Sequence, residues 1–154
     1  MPDPAPGTHL WLVLMKAHRS LLRHAERSIV ALDMCFSDFA ILELLLHKGP
    51  QKVTELGRRI DLTSGAMTTA VDRLEARTLV TRAFDHEDRR TRVVSLTPLG
   101  HSVISQVFAA HAAAMDDAAT GLTADEQSAL TTLLKKLGTH ADHQLTKNPH
   151  GEPS

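Results

Sequence analysis

Three arginines, Arg89, Arg90 and Arg92, form the densest group of positive charges in this 154-residue sequence. A guanidinium is permanently charged and carries several N–H donors, so such a group on one short turn suits the phosphates and narrow minor grooves of DNA. Upstream lies a segment of small hydroxyl side chains, which hydrogen-bond to phosphates and base edges. The hydroxyl-bearing residues are Thr63, Ser64, Thr68 and Thr69. These residue types point to noncovalent recognition of a nucleic acid.

The elements around these residues are two short helices followed by a basic hairpin. Val53 to Ile60 predicts one helix, and Thr63 or Ser64 caps the next. The order is typical of a winged helix-turn-helix, in which the second helix and the hairpin read DNA. The hairpin is predicted as a strand at Val80–Phe84, a polar turn at Asp85–Arg90 and a strand at Arg92–Leu96. The inward-facing residues of the helix pair are predicted to be Leu56, Ile60, Met67, Ala70 or Val71, and Leu74.

Helices are also predicted on both sides of this hairpin unit. They give the order α-α-α-α-β-β-α-α, a mainly α fold with a small β-wing. The first runs to about Ala31, the second stops at Gly49-Pro50, and the fifth runs to about Ala119. Their expected starts are Thr8, Ser37 as an N-cap, Thr97 followed by Pro98, and a capping box from Thr123 to Glu126.

The chain length fits one domain, which we assign to residues 1–154. Within it we expect a winged helix-turn-helix at 37–96, dimerisation helices at 8–36 and 97–145, and a flexible tail at 146–154. Apolar stripes on the terminal helices have little to cover within so small a winged unit, so we expect a homodimer. The stripe of the last helix consists of Leu130, Leu133, Leu134 and Leu137.

The charge distribution is uneven along the chain, although the net charge is only −1. Residues 52–92 carry nine basic and seven acidic side chains, whereas residues 97–154 carry three basic and six acidic ones. The N-terminal Met1–Gly7 segment is Pro-rich without a basic stretch, which is not typical of a secretory signal. The longest apolar run is far too short to span a bilayer. We therefore expect a cytoplasmic protein without a membrane segment.

The sequence contains no arrangement typical of an enzyme or a metal site. Serine-hydrolase, phosphate-loop and metalloprotease motifs are all missing from it, so we expect no catalysis and no cofactor. His140 and His143 have a spacing seen in metal sites, but Asp142 points elsewhere on a helix and no Cys cluster accompanies them. Cys35 is the only cysteine, and it is expected to be either a small buried hydrophobic residue or a redox-sensitive thiol.

The chain resembles the MarR family of bacterial winged-helix regulators. The matching text is LTSGAMTTAVDRLEARTLVTRAFDHEDRRTRVVSLTPLG, and the resemblance extends over roughly residues 10 to 140. The HKGP sequence before it is most similar to the branch that includes catechol- and quinone-responsive regulators. The resemblance implies a homodimer that binds double-stranded DNA at a pseudo-palindromic operator. It also implies a repressor that releases DNA when a small phenolic ligand or an oxidant acts.

The resemblance also implies roles for individual residues. The fourth helix would enter the major groove with its N-terminal half, where Gly65 lets the backbone approach DNA. Arg90 matches the arginine that the family places in the minor groove, and Asp88 would hold the turn and orient it. Arg73 has two open roles, a phosphate contact or an ion pair that anchors the helix. Further phosphate contacts are expected from Arg89 and Arg92.

An effector site is expected beside the first helix, where the family's ligand pocket lies. Trp11, Met15 and His18 recur there at about one-turn spacing and can stack on or bond to an aromatic molecule. Packing in the dimer core is the other interpretation of Trp11 and Met15. Two functional alternatives stay open: redox sensing through Cys35, and a DNA-binding module without a ligand.

One position departs from the family pattern. Thr78 follows the recognition helix where the family commonly has glycine in a left-handed conformation. A β-branched residue in that conformation is strained. Either the helix ends differently here, or the protein tolerates the strain.

Overall fold

A computed structural model describes residues 5–147 and confirms a mainly helical winged helix-turn-helix. The chain divides into two compact units, with the boundary after Met115. The helices are α1 Pro6–Val30, α2 Phe36–Lys48, α3 Val53–Ile60, α4 Ser64–Ala76, α5 Pro98–Ala118 and α6 Ala124–Lys147. The strands are β1 Gln51–Lys52, β2 Val80–Phe84 and β3 Arg92–Leu96.

The sheet has three antiparallel strands in the order β1-β3-β2, and not the two that the sequence predicts. In the added strand Gln51 pairs with Val94, and Lys52 pairs with Val93. Two residues are too few to show the alternation by which a strand is recognised in sequence. The hairpin itself has the predicted bounds, and Val80 pairs with Leu96.

Three predicted boundaries are wrong. Helix α2 begins at Phe36 with Cys35 as its N-cap, so Ser37 lies inside the helix and does not cap it. Helix α1 begins two residues before Thr8, where Pro6 takes the first helical position that suits its fixed φ. Thr146 and Lys147 belong to α6 and not to a tail. The remainder of the predicted tail, 148–154, lies outside the described residues.

The core of the first unit is formed mainly by the winged segment. Leu56, Met67, Ala70, Val71 and Leu74 are buried as predicted, whereas Ile60 is half-buried. Residues from α1 and α5 complete this core, which joins those two helices to the winged segment. They are Ile29, Ile104 and Val107.

The strained residue is Thr78, which follows α4 and contacts Thr97 at the start of α5. Thr78 has φ 58°, so the helix does end in the left-handed conformation and the strain is tolerated. The Thr97 hydroxyl donates to the Thr78 carbonyl at 2.7 Å and accepts from the Gly100 N–H at 2.9 Å. A Cβ on Gly100 would lie 1.9 Å from the Leu79 carbonyl oxygen, so only glycine permits this approach.

The N-terminal half of α1 and the whole of α6 contribute no residue to this core. In the N-terminal half of α1, the apolar side chains Leu10, Trp11, Leu12, Val13 and Met15 are exposed. Described by itself, α6 has no buried residue, and its predicted stripe is exposed throughout. The capping box at its start is formed, since the Thr123 N–H donates to Glu126 at 2.8 Å. Between residues 5 and 147, no helix is both long and apolar enough to cross a membrane.

Candidate nucleic-acid interface

The recognition helix α4 separates an apolar face from a polar one. Thr63 is its N-cap, and the Thr63 hydroxyl oxygen accepts a hydrogen bond from the Ala66 N–H at 3.3 Å. Apolar residues face the core at helical spacing, so the remaining positions of the first two turns face outward. The exposed residues include all those predicted to approach the major groove: Thr63, Ser64, Gly65, Thr68 and Thr69.

Two of the exposed hydroxyls already donate within the helix. Thr68 donates to the Ser64 carbonyl and Thr69 to the Gly65 carbonyl, both at 3.0 Å. Their oxygens keep lone pairs that accept from donors such as the amino groups of adenine and cytosine. A Cβ on Gly65 would meet nothing within 4 Å, so the space beside its backbone is open.

The wing is held in shape by hydrogen bonds to Asp88. One carboxylate oxygen accepts from the Arg90 backbone N–H at 2.9 Å, and the other accepts from the Thr91 hydroxyl at 3.0 Å. Asp88 therefore orders the turn through the backbone beside Arg90. All three predicted wing arginines, Arg89, Arg90 and Arg92, are exposed.

Two contacts hold the base of the wing. Lys52 pairs with Asp85 at 2.8 Å, and this hydrogen bond lowers the pKa of the Asp85 carboxyl. Arg92 lies 3.7 Å above the ring centre of Phe84, a cation–π contact that holds its guanidinium against the hairpin. Lys52 lies in the strand that the sequence pattern missed, so this anchor was not predicted.

The structure shows the ion pair that was one of the two roles predicted for Arg73, and the phosphate contact stays a prediction. Its guanidinium pairs with both carboxylate oxygens of Asp38, with Nε to Oδ2 at 2.8 Å, and this pairing raises the pKa of Arg73. Asp38 is buried in the first turn of α2, so the pair holds the recognition helix against that helix. The sequence signal that was overlooked is an acid inside an apolar stripe.

The arrangement of α4 and the wing agrees with the comparisons to known proteins. A sequence model of the MarR family matches residues 37–91. The uncharacterized HTH-type transcriptional regulator YkoM of Bacillus subtilis is 36% identical over 137 residues, which cover 89% of each protein. The chain belongs to the MarR family. Since the relatives are transcriptional regulators, this protein is a transcriptional regulator with a DNA-binding fold and not an enzyme.

Two further similarities extend over most of the chain. The HTH-type transcriptional regulator MhqR of Bacillus subtilis is 36% identical over 132 residues, which cover 86% of this chain and 91% of that protein. Mutant MarR from E. coli, solved in complex with operator DNA, superposes with a TM-score of 0.73 at 26% identity. That superposition covers 83% of this chain and 92% of the MarR chain. The fold that this chain shares with MarR is therefore one that binds operator DNA in that relative.

A groove in the first unit lies between α1, α2 and α5. It has a volume of about 300 Å³ and includes His18, one of the three predicted effector residues. Trp11 and Met15 do not line it, and both are exposed on α1. The other lining residues are Leu21, Leu22, Ala25, Phe36, Phe39, Glu43, Phe108, His111 and Met115.

Cys35 is exposed, so the expectation of a small buried hydrophobic residue is wrong. Its position as N-cap of α2 leaves the thiol at the surface. Arg73 donates to its sulfur at 3.3 Å, and Ser37 Oγ lies at 3.3 Å from the same atom.

Over residues 5–147, no group of three or more His, Cys, Asp or Glu side chains is placed to hold a metal ion.

Proposed function

We propose that this MarR-family protein is a homodimeric repressor that binds a pseudo-palindromic operator and releases it when a small phenolic or quinone-like effector binds. The observation that carries the proposal is the pairing of two exposed polar surfaces on one compact unit. These surfaces are the N-terminal half of α4 and the arginine-bearing wing tip. Each subunit would thereby read a major groove and the adjacent minor groove.

Within each half-site, the hydroxyls of α4 would contact base edges and phosphates, and Gly65 would permit close approach of the helix backbone. Arg90 would enter the minor groove, where A/T-rich sequences concentrate negative potential. Arg89 and Arg92 would neutralise phosphates beside it. Because this binding releases counterions, operator affinity should fall steeply as salt concentration rises.

The test of the wing is Arg90→Ala, measured against an operator duplex obtained by in vitro selection with the wild-type protein. We expect the loss to be about 1–3 kcal/mol of binding free energy, with the thermal midpoint nearly unchanged because Arg90 is exposed. Arg23→Ala, which removes one positive charge from α1, is the matched control and should bind like wild type. Wild-type operator affinity in Arg90→Ala would refute the minor-groove role.

The dimer is supported by the exposed apolar side chains of α1 and α6. Leucines repeating along α6 and most apolar side chains of the Leu10–Met15 stretch of α1 leave much of their surface exposed within the described residues. Burial of such surfaces contributes roughly 25 cal/mol per Å², which makes a second copy of the chain the natural cover. Two recognition helices would then meet successive major grooves about 34–36 Å apart.

The groove between α1, α2 and α5 is the site we assign to the effector. Its aromatic and aliphatic walls suit a planar ring, and His18 and His111 offer nitrogen atoms for hydroxyl groups. An effector must bind the DNA-incompetent state more tightly, and a tenfold preference shifts the balance by about 1.4 kcal/mol. Trp11 is two helical turns before His18, so its fluorescence can report binding in the same titration that follows operator release.

Candidate phenols and quinones should both change the Trp11 signal and weaken operator binding. His18→Ala should lower the affinity for the effector and leave operator binding without effector unchanged. A compound that quenches Trp11 but leaves operator affinity unchanged would separate binding from regulation and refute the switch. Failure of every compound to bind would favour the alternative, a DNA-binding module without a ligand.

The second candidate for the switch is oxidation at Cys35, which its exposure and its contact with Arg73 favour. Peroxide treatment followed by measurement of operator affinity tests it, with Cys35→Ser as the comparison. Redox control predicts that wild type loses affinity and that Cys35→Ser does not. Equal responses of the two proteins would exclude this thiol as the sensor.

A further inference from the structure

Arg82 joins the wing to the recognition helix through one backbone bond and several side-chain bonds. Its guanidinium lies 2.6 Å from Asp72 Oδ1 and 2.6 Å from Glu75 Oε2, with a further bond from Nε to Glu75 at 3.0 Å. The Arg82 backbone N–H donates to the other Glu75 oxygen at 3.2 Å. Both carboxylates belong to α4 and Arg82 belongs to β2, so the cluster crosses from the helix to the hairpin.

The geometry of the cluster restrains the orientation of β2 relative to α4. A planar guanidinium that binds two carboxylates restrains direction as well as distance, unlike a single flexible ion pair. One carboxylate oxygen of Glu75 accepts from the Arg82 backbone N–H, and the other pairs with the Arg82 guanidinium. The hydrogen bond from the Arg82 side chain lowers the pKa of the Glu75 carboxyl. Along β2, Val80 and Arg82 share the sheet face that meets α4, because side chains alternate along a strand.

The cluster also concerns the charge of the DNA-reading surface. Asp72 and Glu75 are partly exposed acids on the helix that we place in the major groove. Unpaired carboxylates there would repel the phosphates of the operator. Arg82 offsets part of that charge at short range. A purely electrostatic role would predict that removal of the two acids strengthens DNA binding.

We propose that Arg82 is a positioning residue that fixes the wing to the recognition helix, so that Arg90 and α4 enter adjacent grooves as one rigid unit. The inference rests on the proposed minor-groove role of Arg90. A strand rises about 3.3 Å per residue, so the wing tip lies on the order of 15 Å from Arg82, and a tilt of about 10° displaces the tip by about 3 Å. Such a displacement is enough to remove Arg90 from hydrogen-bond reach in a narrow groove.

The test is a double-mutant cycle of Arg82→Gln and Arg90→Ala in the full chain, measured on the selected operator duplex. Arg90→Ala should lower affinity about tenfold in the wild-type background and less than about threefold in the Arg82→Gln background, since coupled residues are not additive. The same cycle with Arg23→Gln in place of Arg82→Gln is the control. There, Arg90→Ala should keep its full effect.

The outcomes separate this proposal from the proposed function. If Arg90→Ala has no effect in the wild-type background, the wing role is wrong and the positioning role falls with it. If Arg90→Ala has an equal effect in both backgrounds, Arg90 contacts DNA but Arg82 does not position it. A merely structural Arg82 would lower the thermal midpoint and leave the effect of Arg90→Ala on the remaining folded protein unchanged.

A second variant keeps the test decisive if Arg82→Gln folds poorly. Asp72→Asn combined with Glu75→Gln removes the charged partners and keeps side chains of nearly the same shape. Positioning predicts that this variant loses most of the Arg90 contribution, as Arg82→Gln does. Tighter operator binding with an undiminished Arg90 contribution would overturn the proposal and leave only charge compensation.

Discussion

The winged segment buries most of its apolar side chains, whereas the N-terminal half of α1 and the whole of α6 expose theirs. Leu56 and Leu74 in the winged segment are fully buried, whereas Trp11 is 58% exposed on α1 and Leu133 is 62% exposed on α6. The first region satisfies its hydrophobic pattern within one subunit. The second leaves its pattern open, as a surface made for another copy would. Under the proposed function, DNA reading and subunit pairing would belong to regions with different sources of stability.

The largest expected effect comes from removing part of the open region. Deletion of residues 124–154 removes the leucine stripe of α6, so we expect aggregated or unfolded protein because the dimer can no longer bury the remaining apolar surface. Sedimentation and circular dichroism of the purified chain test this. A folded, soluble monomer would show that the winged unit is stable without α6 and would contradict this expectation.

A point variant tests the leucine stripe of α6 without shortening the chain. Leu134→Asp places a charge in the stripe, whereas Thr139→Asp places the same charge on roughly the opposite side of α6. The first should shift the protein to monomer or aggregate, and the second should leave the dimer intact. Equal behaviour of both variants would mean that the stripe is not the interface.

Two arginines of the winged region provide the next largest effect. Arg73→Ala leaves Asp38 buried without its partner and should cost about 2–4 kcal/mol of unfolding free energy, because the first turn of α2 compensates only part of the charge. Arg82→Ala exposes carboxylates that are already partly solvated and should cost less than about 1 kcal/mol. Urea unfolding compares the two. Equal losses would contradict the distinction between an anchor of the fold and a positioner of the wing.

Two glycines of this region differ in the space around them, since Gly100 is closely packed and Gly65 borders open space. Gly100→Ala forces a Cβ against the Leu79 carbonyl and should cost about 1–3 kcal/mol, because backbone cannot move aside as a flexible side chain does. Gly65→Ala adds its Cβ to open space and should change stability by less than about 1 kcal/mol. It should nevertheless weaken operator binding if the α4 backbone approaches DNA. Operator binding equal to wild type would refute the role of Gly65.

Sequence alone predicted the elements with strong local signals. Helix α3 and both hairpin strands have the predicted bounds because periodicity and turn residues agree there. Strand β1 was missed because Gln51 and Lys52 form a strand only through pairing with β3. The N-cap of α2 was misplaced because a cysteine without a capping hydrogen bond carries no sequence signal.

The site residues also divide into those that the local sequence predicts and those whose contacts depend on the fold. The exposed hydroxyls of α4 and the wing arginines follow from local pattern, and so does the turn held by Asp88. The partners of Arg73 and Arg82 depend on tertiary structure, since Asp38 is 35 residues from Arg73 in sequence. Charge type predicts that an arginine seeks a carboxylate or a phosphate. Only the fold decides which of the two it meets.

The smallest expected effect concerns Thr78, where the sequence left two outcomes open. A left-handed conformation costs a non-glycine residue roughly 1–2 kcal/mol, and the greater freedom of unfolded glycine offsets about 0.4–1 kcal/mol of the relief. Thr78→Gly should therefore stabilise the protein by up to about 1 kcal/mol in urea unfolding. Thr78→Val, which keeps the β-branch, is the control and should give no gain. Loss of stability in Thr78→Gly would mean that the Thr78 hydroxyl, which donates to the Arg77 carbonyl at 2.7 Å, contributes more than the backbone strain costs.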